Sequence, residues 1–299
     1  MNKPILFVGT STIDYIALVK EMPKTDQRIE ALNLVKCGGG PAANAAVAAN
    51  KLGAKCSIIS VVGNDSEGNE IIEELNQKGI DTSGIQTSLK GKTPQSLIHV
   101  ERNTGYRSIT HYGEAIQYFD FNNYPLELLR NCSLVHADGN SVPLTLHTFQ
   151  QAKKLGITTL LDGGNITESN LSLLLPFTDI FITDIKSIPY TMKDIGIKTI
   201  CKKLAESGPH TVCITLGKEG SVLYDSTQFL TTKSYKVKVV DTTGAGDNFH
   251  GAYAFAYWYG LPLQECLQLS NVFAGLSCKN IGGRSNLKSF EEIKNYYKD

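Results

Sequence analysis

The chain has 299 residues, 41% of them hydrophobic and 19% charged, the composition of an ordinary folded globule. Its 29 basic and 29 acidic residues cancel, which excludes the electrostatic footprint of a nucleic-acid-binding protein and a polybasic membrane face. Seven scattered cysteines without a Cys-x-x-Cys pair fit a reduced protein rather than a disulfide scaffold, and the cytoplasm is the expected location.

The first apolar run, Ile5–Gly9, reads as a strand. It is too short for a signal-peptide core, and no stretch of the chain is long enough to span a bilayer. Between Ile13 and Val35, Tyr-Ile-Ala-Leu-Val and Arg-Ile-Glu-Ala-Leu-Asn-Leu-Val alternate as half-exposed strands do. Gly38-Gly39-Gly40-Pro41 then opens a small-residue helix, Ala42–Leu52. Such glycines let a ligand approach the backbone, and they equally suit a tight turn before a close-packed helix. A second alternating region, Gln95–Tyr112, contains two runs joined at Asn103-Thr104-Gly105, a good hairpin turn.

Elsewhere short apolar runs (Cys56–Val62, Leu134–Ala137, Thr158–Leu161, Ile180–Thr183 and Thr211–Thr215) alternate with helical patterns. The helical stretches are Gly68–Lys78, Leu144–Leu155, Ile197–Glu206, Gly246–Tyr259 and Leu263–Lys279. Buried strands alternating with helices imply a mostly parallel central sheet covered on both faces. With no repeat, low-complexity tract or linker, the expectation is one α/β domain over residues 1–299, with a small antiparallel β lid built from about 12–37 and 92–113.

Near the C-terminal end, Val-Val-Asp-Thr-Thr-Gly-Ala-Gly-Asp-Asn-Phe-His-Gly-Ala-Tyr-Ala (residues Val239 to Ala254) carries a strand-like run through a Gly-Ala-Gly turn into a helix. Glycines before a helix N-terminus allow backbone N–H groups to converge on an anion. Asp247 in that turn is either a cap on the first helical turn or a reagent. In phosphoryl transfer an alcohol loses a proton while the migrating group carries spread negative charge. Asp247 as base and Gly244, Ala245 and Gly246 as an anion hole then serve opposite ends of one in-line reaction.

Asp241-Thr242-Thr243-Gly244-Ala245-Gly246-Asp247 resembles the C-terminal signature of the ribokinase-like (PfkB) family of sugar and nucleoside kinases. Gly39-Gly40-Pro41-Ala42-Ala43-Asn44-Ala45-Ala46, with Gly53 and Gly63 beyond it, resembles the N-terminal signature. The resemblance implies a three-layer α/β body with a β lid, ATP and magnesium as cofactors, and a sugar substrate. It implies Asp247 as catalytic base, and Asp14, Gly39, Gly40 and Asn44 as substrate contacts. It implies nucleotide contacts from Thr215, Gly217 and Gly220 in Thr-Leu-Gly-Lys-Glu-Gly, and from Asn271. Asp241, Thr243 and the Gly282-Gly283-Arg284-Ser285 loop, through Gly283 and Ser285, resemble segments that hold a monovalent cation such as K+. Where many members carry Asn-x-x-Glu, this chain has Asp184-Ile185-Lys186-Ser187, leaving Asp184 to order magnesium waters.

Phrases such as Leu161-Asp162-Gly163 and Asp-Asn-Phe-His-Gly-Ala read closest to the branch holding sulfofructose kinase, with Arg28 as the basic residue for an anionic sugar end. The expected activity is phosphorylation of a primary hydroxyl on a furanose or ketose, fructose-like or sulfofructose-like. A nucleoside kinase is the alternative within the family, and a non-catalytic sugar or nucleotide sensor the alternative outside it. Family members commonly pair through the lid, which implies a homodimer. Other motifs fail: Gly91-Lys92-Thr93 lacks the P-loop glycine five residues earlier, where Gln86 stands, and no Gly-x-Gly-x-x-Gly follows a strand. Gly-x-Ser-x-Gly is missing, and the six histidines show no zinc-ligand spacing, so His250 is expected to be packing or surface.

Overall fold

A computed structural model describes residues 3–164, 166–192 and 195–297. The chain begins with β1 (Ile5–Val8), then leaves the body for β2 (Thr12–Val19) and β3 (Ala31–Gly39) before α1 (Pro41–Leu52). It returns through β4 (Cys56–Gly63), α2 (Ser66–Gln77) and β5 (Asp81–Ser88), then leaves again for β6 (Gln95–Glu101) and β7 (Arg107–Tyr112). The short α3 (Leu126–Arg130) leads to β8 (Leu134–Ala137), α4 (Val142–Leu155), β9 (Thr158–Asp162), α5 (Glu168–Leu174) and β10 (Ile180–Asp184). After α6 (Ile197–Glu206) come β11 (Thr211–Thr215), β12 (Ser221–Tyr224) and β13 (Phe229–Thr232). The chain closes with α7 (Ala245–Tyr259), α8 (Leu263–Ser277) and α9 (Phe290–Ile293).

The nine-stranded sheet has the order β13-β12-β11-β10-β9-β8-β1-β4-β5. From β5 to β11 every neighbour is parallel, and β12 and β13 add antiparallel strands at one edge. Strands such as β1 and β4 are buried at every position because helices cover both faces. Ile5 and Phe7 point into a core with α1, α7 and α8, while Leu6 and Val8 point into one with α4 and α6. This is the three-layer arrangement expected from the alternation of strands and helices.

The second sheet has the order β3-β2-β6-β7. Its outer pairs are antiparallel, but β2 and β6 run parallel. They belong to separate excursions that leave the body in the same direction. A small core of Ile16, Ile98 and Val100 holds them together.

Chain direction places the site. From β1 the sheet is built outwards through β4 and β5 on one side, and from β8 onwards on the other. Ligands of such sheets bind outside the carboxyl ends of the strands where the order reverses. No helix among the described residues is long and apolar enough to cross a membrane.

Candidate active site

Asp162, Asp184 and Thr215 lie at the carboxyl ends of the parallel strands β9, β10 and β11, and Asp14 lies near the start of β2, which follows the carboxyl end of β1. The signature turn lies at the start of α7. Gly244 is its N-cap in the left-handed region, with φ of 72°. A Cβ there would also lie 2.6 Å from Gly283 Cα, so glycine is required on both counts. Ala245 N–H is taken by Thr242 O at 3.2 Å. Gly246 N–H has no partner among the described residues, and the space in front of its Cα is open. Gly246, at the positive end of a fifteen-residue helix, is thus the open donor for an anion.

Asp247, in the first turn of α7, is fixed from α1. Asn44 Nδ2 donates to Asp247 Oδ2 at 2.7 Å. Asn44 Oδ1 accepts from Arg284 Nε at 2.8 Å, which sets the orientation of the amide. Arg284 also donates to Gly39 O and pairs with Glu74 at 2.6 Å. One buried guanidinium therefore ties the glycine run before α1, the asparagine on α1 and the acid of α2 into a frame around Asp247. The helices can come this close because Gly251 of α7 meets Ala45 and Ala48 of α1, where a Cβ would sit 2.3 Å from Ala45 O. Gly40, at φ 92°, turns the chain into α1 against Thr10 O.

Asp14 lies within β2 and accepts from Thr12 Oγ1 at 2.7 Å. Gly39 opposes it so closely that a Cβ would sit 2.1 Å from its carboxylate. Burial and the neighbouring Asp247 charge push the Asp14 pKa up, against the pull of Thr12, Arg284 and Ser96. Two further carboxylates face this cluster. Asp138, after β8, accepts from Thr10 N and Asn140 N at 2.6 and 3.0 Å, and burial drives its pKa up to about 6. Asp162 accepts from Gly164 N at 2.8 Å, and burial together with the Asp247 charge raises it to about 7. Arg284 is the only buried lysine or arginine among the described residues. This end of the cleft is therefore lined with acids.

Asp241 accepts from Thr243 N and from Gly282 N, both at 2.8 Å, joining the signature turn to the 282–285 loop. Thr243 Oγ1 is buried without a partner among the described residues, and Gly283 O accepts from Asn248 Nδ2 at 2.8 Å. Ser285 N closes the same loop onto Gly282 O. Gly217 and Gly220 have φ of 58° and 103° in the turn between β11 and β12. Thr215 ends β11, and Asn271 Nδ2 donates to Ser221 Oγ at 2.7 Å, tying α8 to β12. Asp184 caps its own turn through Lys186 N at 2.7 Å, which leaves its second oxygen for another donor.

Arg28 is exposed in the β2–β3 connection, beyond Val19, the end of β2 that lies about 17 Å along the strand from Asp14. His250, expected to be packing or surface, is buried, with Nε2 3.3 Å from Asp162 Oδ1. Burial drives its pKa down to about 4, so the imidazole is neutral and the contact is not an ion pair. Sequence reasoning passed over Arg284, seen only as part of a loop, and over Asp138. For Asp138 a signal existed: an acid directly after an apolar strand, followed by glycine, marks the carboxyl edge of a parallel sheet.

Comparison with known proteins gives the family and the fold. Residues 2–289 match the pfkB family carbohydrate kinases. A nucleoside kinase of Methanothermobacter thermautotrophicus is 27% identical over 96% of this chain and 93% of its own length. A mouse ribokinase is 30% identical over 94% of this chain and 91% of its own. The crystal structure of a putative ribokinase from Agrobacterium tumefaciens superposes with a TM-score of 0.92 at 26% identity, covering 100% of this chain and 98% of that one.

Proposed function

The chain belongs to the pfkB family of carbohydrate kinases, phosphotransferases with an alcohol acceptor, and we propose that it moves the γ-phosphoryl of ATP to a primary hydroxyl of an uncharged furanose. The observation that carries this reading is the hydrogen bond from Asn44 to Asp247 beside the open N–H of Gly246. Asp247 accepts the proton of the attacking hydroxyl, while Gly246 N–H and the α7 dipole face the charge on the group in flight. The carboxylate and the anion site do not compete, because they act on different atoms.

Asp14, Gly39, Gly40 and Asn44 hold the sugar. A buried carboxylate accepting from vicinal hydroxyls suits a neutral polyol. The acids also argue against the sulfofructose-like substrate, because a sulfonate would face Asp14 and Asp247 with Arg284 already committed. ATP lies over the β11–β12 turn, with Thr215, Gly217, Gly220 and Asn271 along its base side. Magnesium comes with the ATP phosphates, which supply most of its ligands, and the second oxygen of Asp184 orders its waters. The unpartnered Thr243 hydroxyl beside Asp241, with Gly283 and Ser285 across the loop, supports a monovalent cation such as K+ at that junction.

The furanose is either free or part of a nucleoside, and the nucleoside kinase relative supports the second form. A sensor without turnover has no need of the intact Asp247 turn. The β lid, as an appendage of one kinase domain, covers the sugar and excludes water, the competing acceptor. Its outer face carries Leu34 and Leu97, 70% and 57% exposed, on the same side of paired strands. That apolar face and its free edges support a homodimer through the lid.

The test is ATP consumption against ribose, fructose, nucleosides, sulfofructose and sugar phosphates. Turnover is expected with an uncharged furanose or nucleoside. Activity confined to the sulfonated or phosphorylated sugars would overturn the substrate reading.

A further inference from the structure

Beneath the signature turn, three side chains from three elements converge: His136 of β8, Asp162 of β9 and His250 of α7, one helical turn after Asp247. Each offers one ligand atom, and these atoms all lie within 4.8 Å of one another. All three are buried, at 0, 8 and 5% exposure. Neither ring nitrogen of His136 has a hydrogen-bond partner among the described residues, nor does Nδ1 of His250. Buried imidazoles almost always find partners, so two facing ones with unused nitrogens next to a carboxylate are anomalous. The ordinary packing contacts of the rings, His136 with Phe7 at 5.3 Å and with His250 at 5.6 Å between centroids, satisfy no nitrogen lone pair.

We propose that His136, Asp162 and His250 bind one divalent transition-metal ion of the zinc class. Two imidazoles and a carboxylate are a recurrent donor set for such ions, which bind at about 2.0–2.2 Å in tetrahedral geometry. That geometry places ligand atoms about 3.3–3.6 Å apart. The His250–Asp162 distance of 3.3 Å already meets it, and the third ligand needs to close by only about 1 Å, within the reach of a small rotation of the His136 ring. Hard oxygen-seeking magnesium would not choose this set. An ion here lies behind Asp247 rather than in the path of the phosphoryl group. It pins α7 to the β8 and β9 strands. The proposal does not depend on which sugar is the substrate.

The test uses the untagged full-length chain, purified without chelators and measured without nucleotide. Elemental analysis should find close to one equivalent of zinc-class metal per chain. After stripping and titration with Co2+, visible absorption bands of nitrogen-ligated cobalt should saturate at one equivalent, and the melting temperature should rise. His136→Gln and His250→Gln should abolish the bands, whereas His111→Gln, on the exposed lid strand, should keep them. The wild-type measurements stand even where a variant fails to fold. Less than a tenth of an equivalent of metal together with no cobalt bands in wild type, or equal bands in a folded His136→Gln protein, would overturn the proposal.

Discussion

Arg284 shows how much a single side chain can organise. It is buried, and its guanidinium satisfies Gly39 O, Asn44 Oδ1 and Glu74 at once. Replacing it with methionine leaves two carbonyl oxygens and a partly buried carboxylate without their donor. Breaking a buried pair on one side costs about 3–5 kcal/mol. Glu74 keeps some solvent contact, so the expected loss is about 3 kcal/mol, read by urea denaturation. Folded Arg284→Met protein should also lose turnover, because Asn44 is no longer oriented toward Asp247. A change under about 0.5 kcal/mol would show that the frame is not structural. The contrast with Asp247 explains what sequence can reveal. The turn around Asp247 was legible because it is written in consecutive residues, glycines before the acid and a helix after it. Arg284 was not, because its partners Asn44 and Glu74 lie 240 and 210 positions away, and only folding brings them together. The meeting of His136 with His250 was hidden for the same reason, since the two lie far apart in sequence.

Among the elements, the joint between body and lid has its own lock. Asp65 caps α2 by accepting from Gly68 N at 3.0 Å, and it also accepts from Thr93 N at 3.1 Å and from the Thr93 hydroxyl, just before β6. Partial burial pushes its pKa up, but the bonds from Thr93 and Gly68 outweigh this and hold it below 3.8. A depressed carboxylate contributes stability above its ordinary value that is lost as pH falls through the folded one. Asp65→Ala should therefore cost about 1–2 kcal/mol at pH 7. The gap to wild type should narrow once the pH drops below 3.8, measured by thermal melts across pH. A gap independent of pH would mean that the charge of Asp65 plays no part. At the other end of the lid, Arg107 donates to Thr242 Oγ1 at 2.8 Å and Thr242 donates to Gly105 O at 3.0 Å, so the hairpin tip rests on the segment that leads into the signature turn. The elements themselves were largely legible. Buried parallel strands appear as apolar runs, and the two alternating regions marked the lid. The parallel pairing of β2 with β6 was not legible, since it depends on the direction in which two distant excursions leave the body. Strand β5, Asp-Thr-Ser-Gly-Ile-Gln-Thr-Ser, was also hidden, because an edge strand this polar is held by its pairing with β4 rather than by an apolar pattern.

For the whole molecule, the proposed function gives the body the reaction and the lid closure and association. If two lids pair, Leu34→Asp combined with Leu97→Asp should convert a dimer to a monomer in light scattering. The four-stranded sheet should remain folded, because both side chains point away from its Ile16, Ile98 and Val100 core. A wild-type protein that is monomeric at tens of micromolar would contradict pairing through this face. The account stands or falls, however, on the carboxylate at the head of α7. The direct measurement is single-turnover phosphoryl transfer by Asp247→Asn against wild type, with the best uncharged furanose or nucleoside and saturating ATP and magnesium. Asparagine keeps the shape and can still meet Asn44, but it cannot take a proton. The rate should fall by about 10²–10⁴-fold, with substrate binding changed far less. A variant that turns over within about threefold of wild type would show that Asp247 is a helix cap and that the base lies elsewhere.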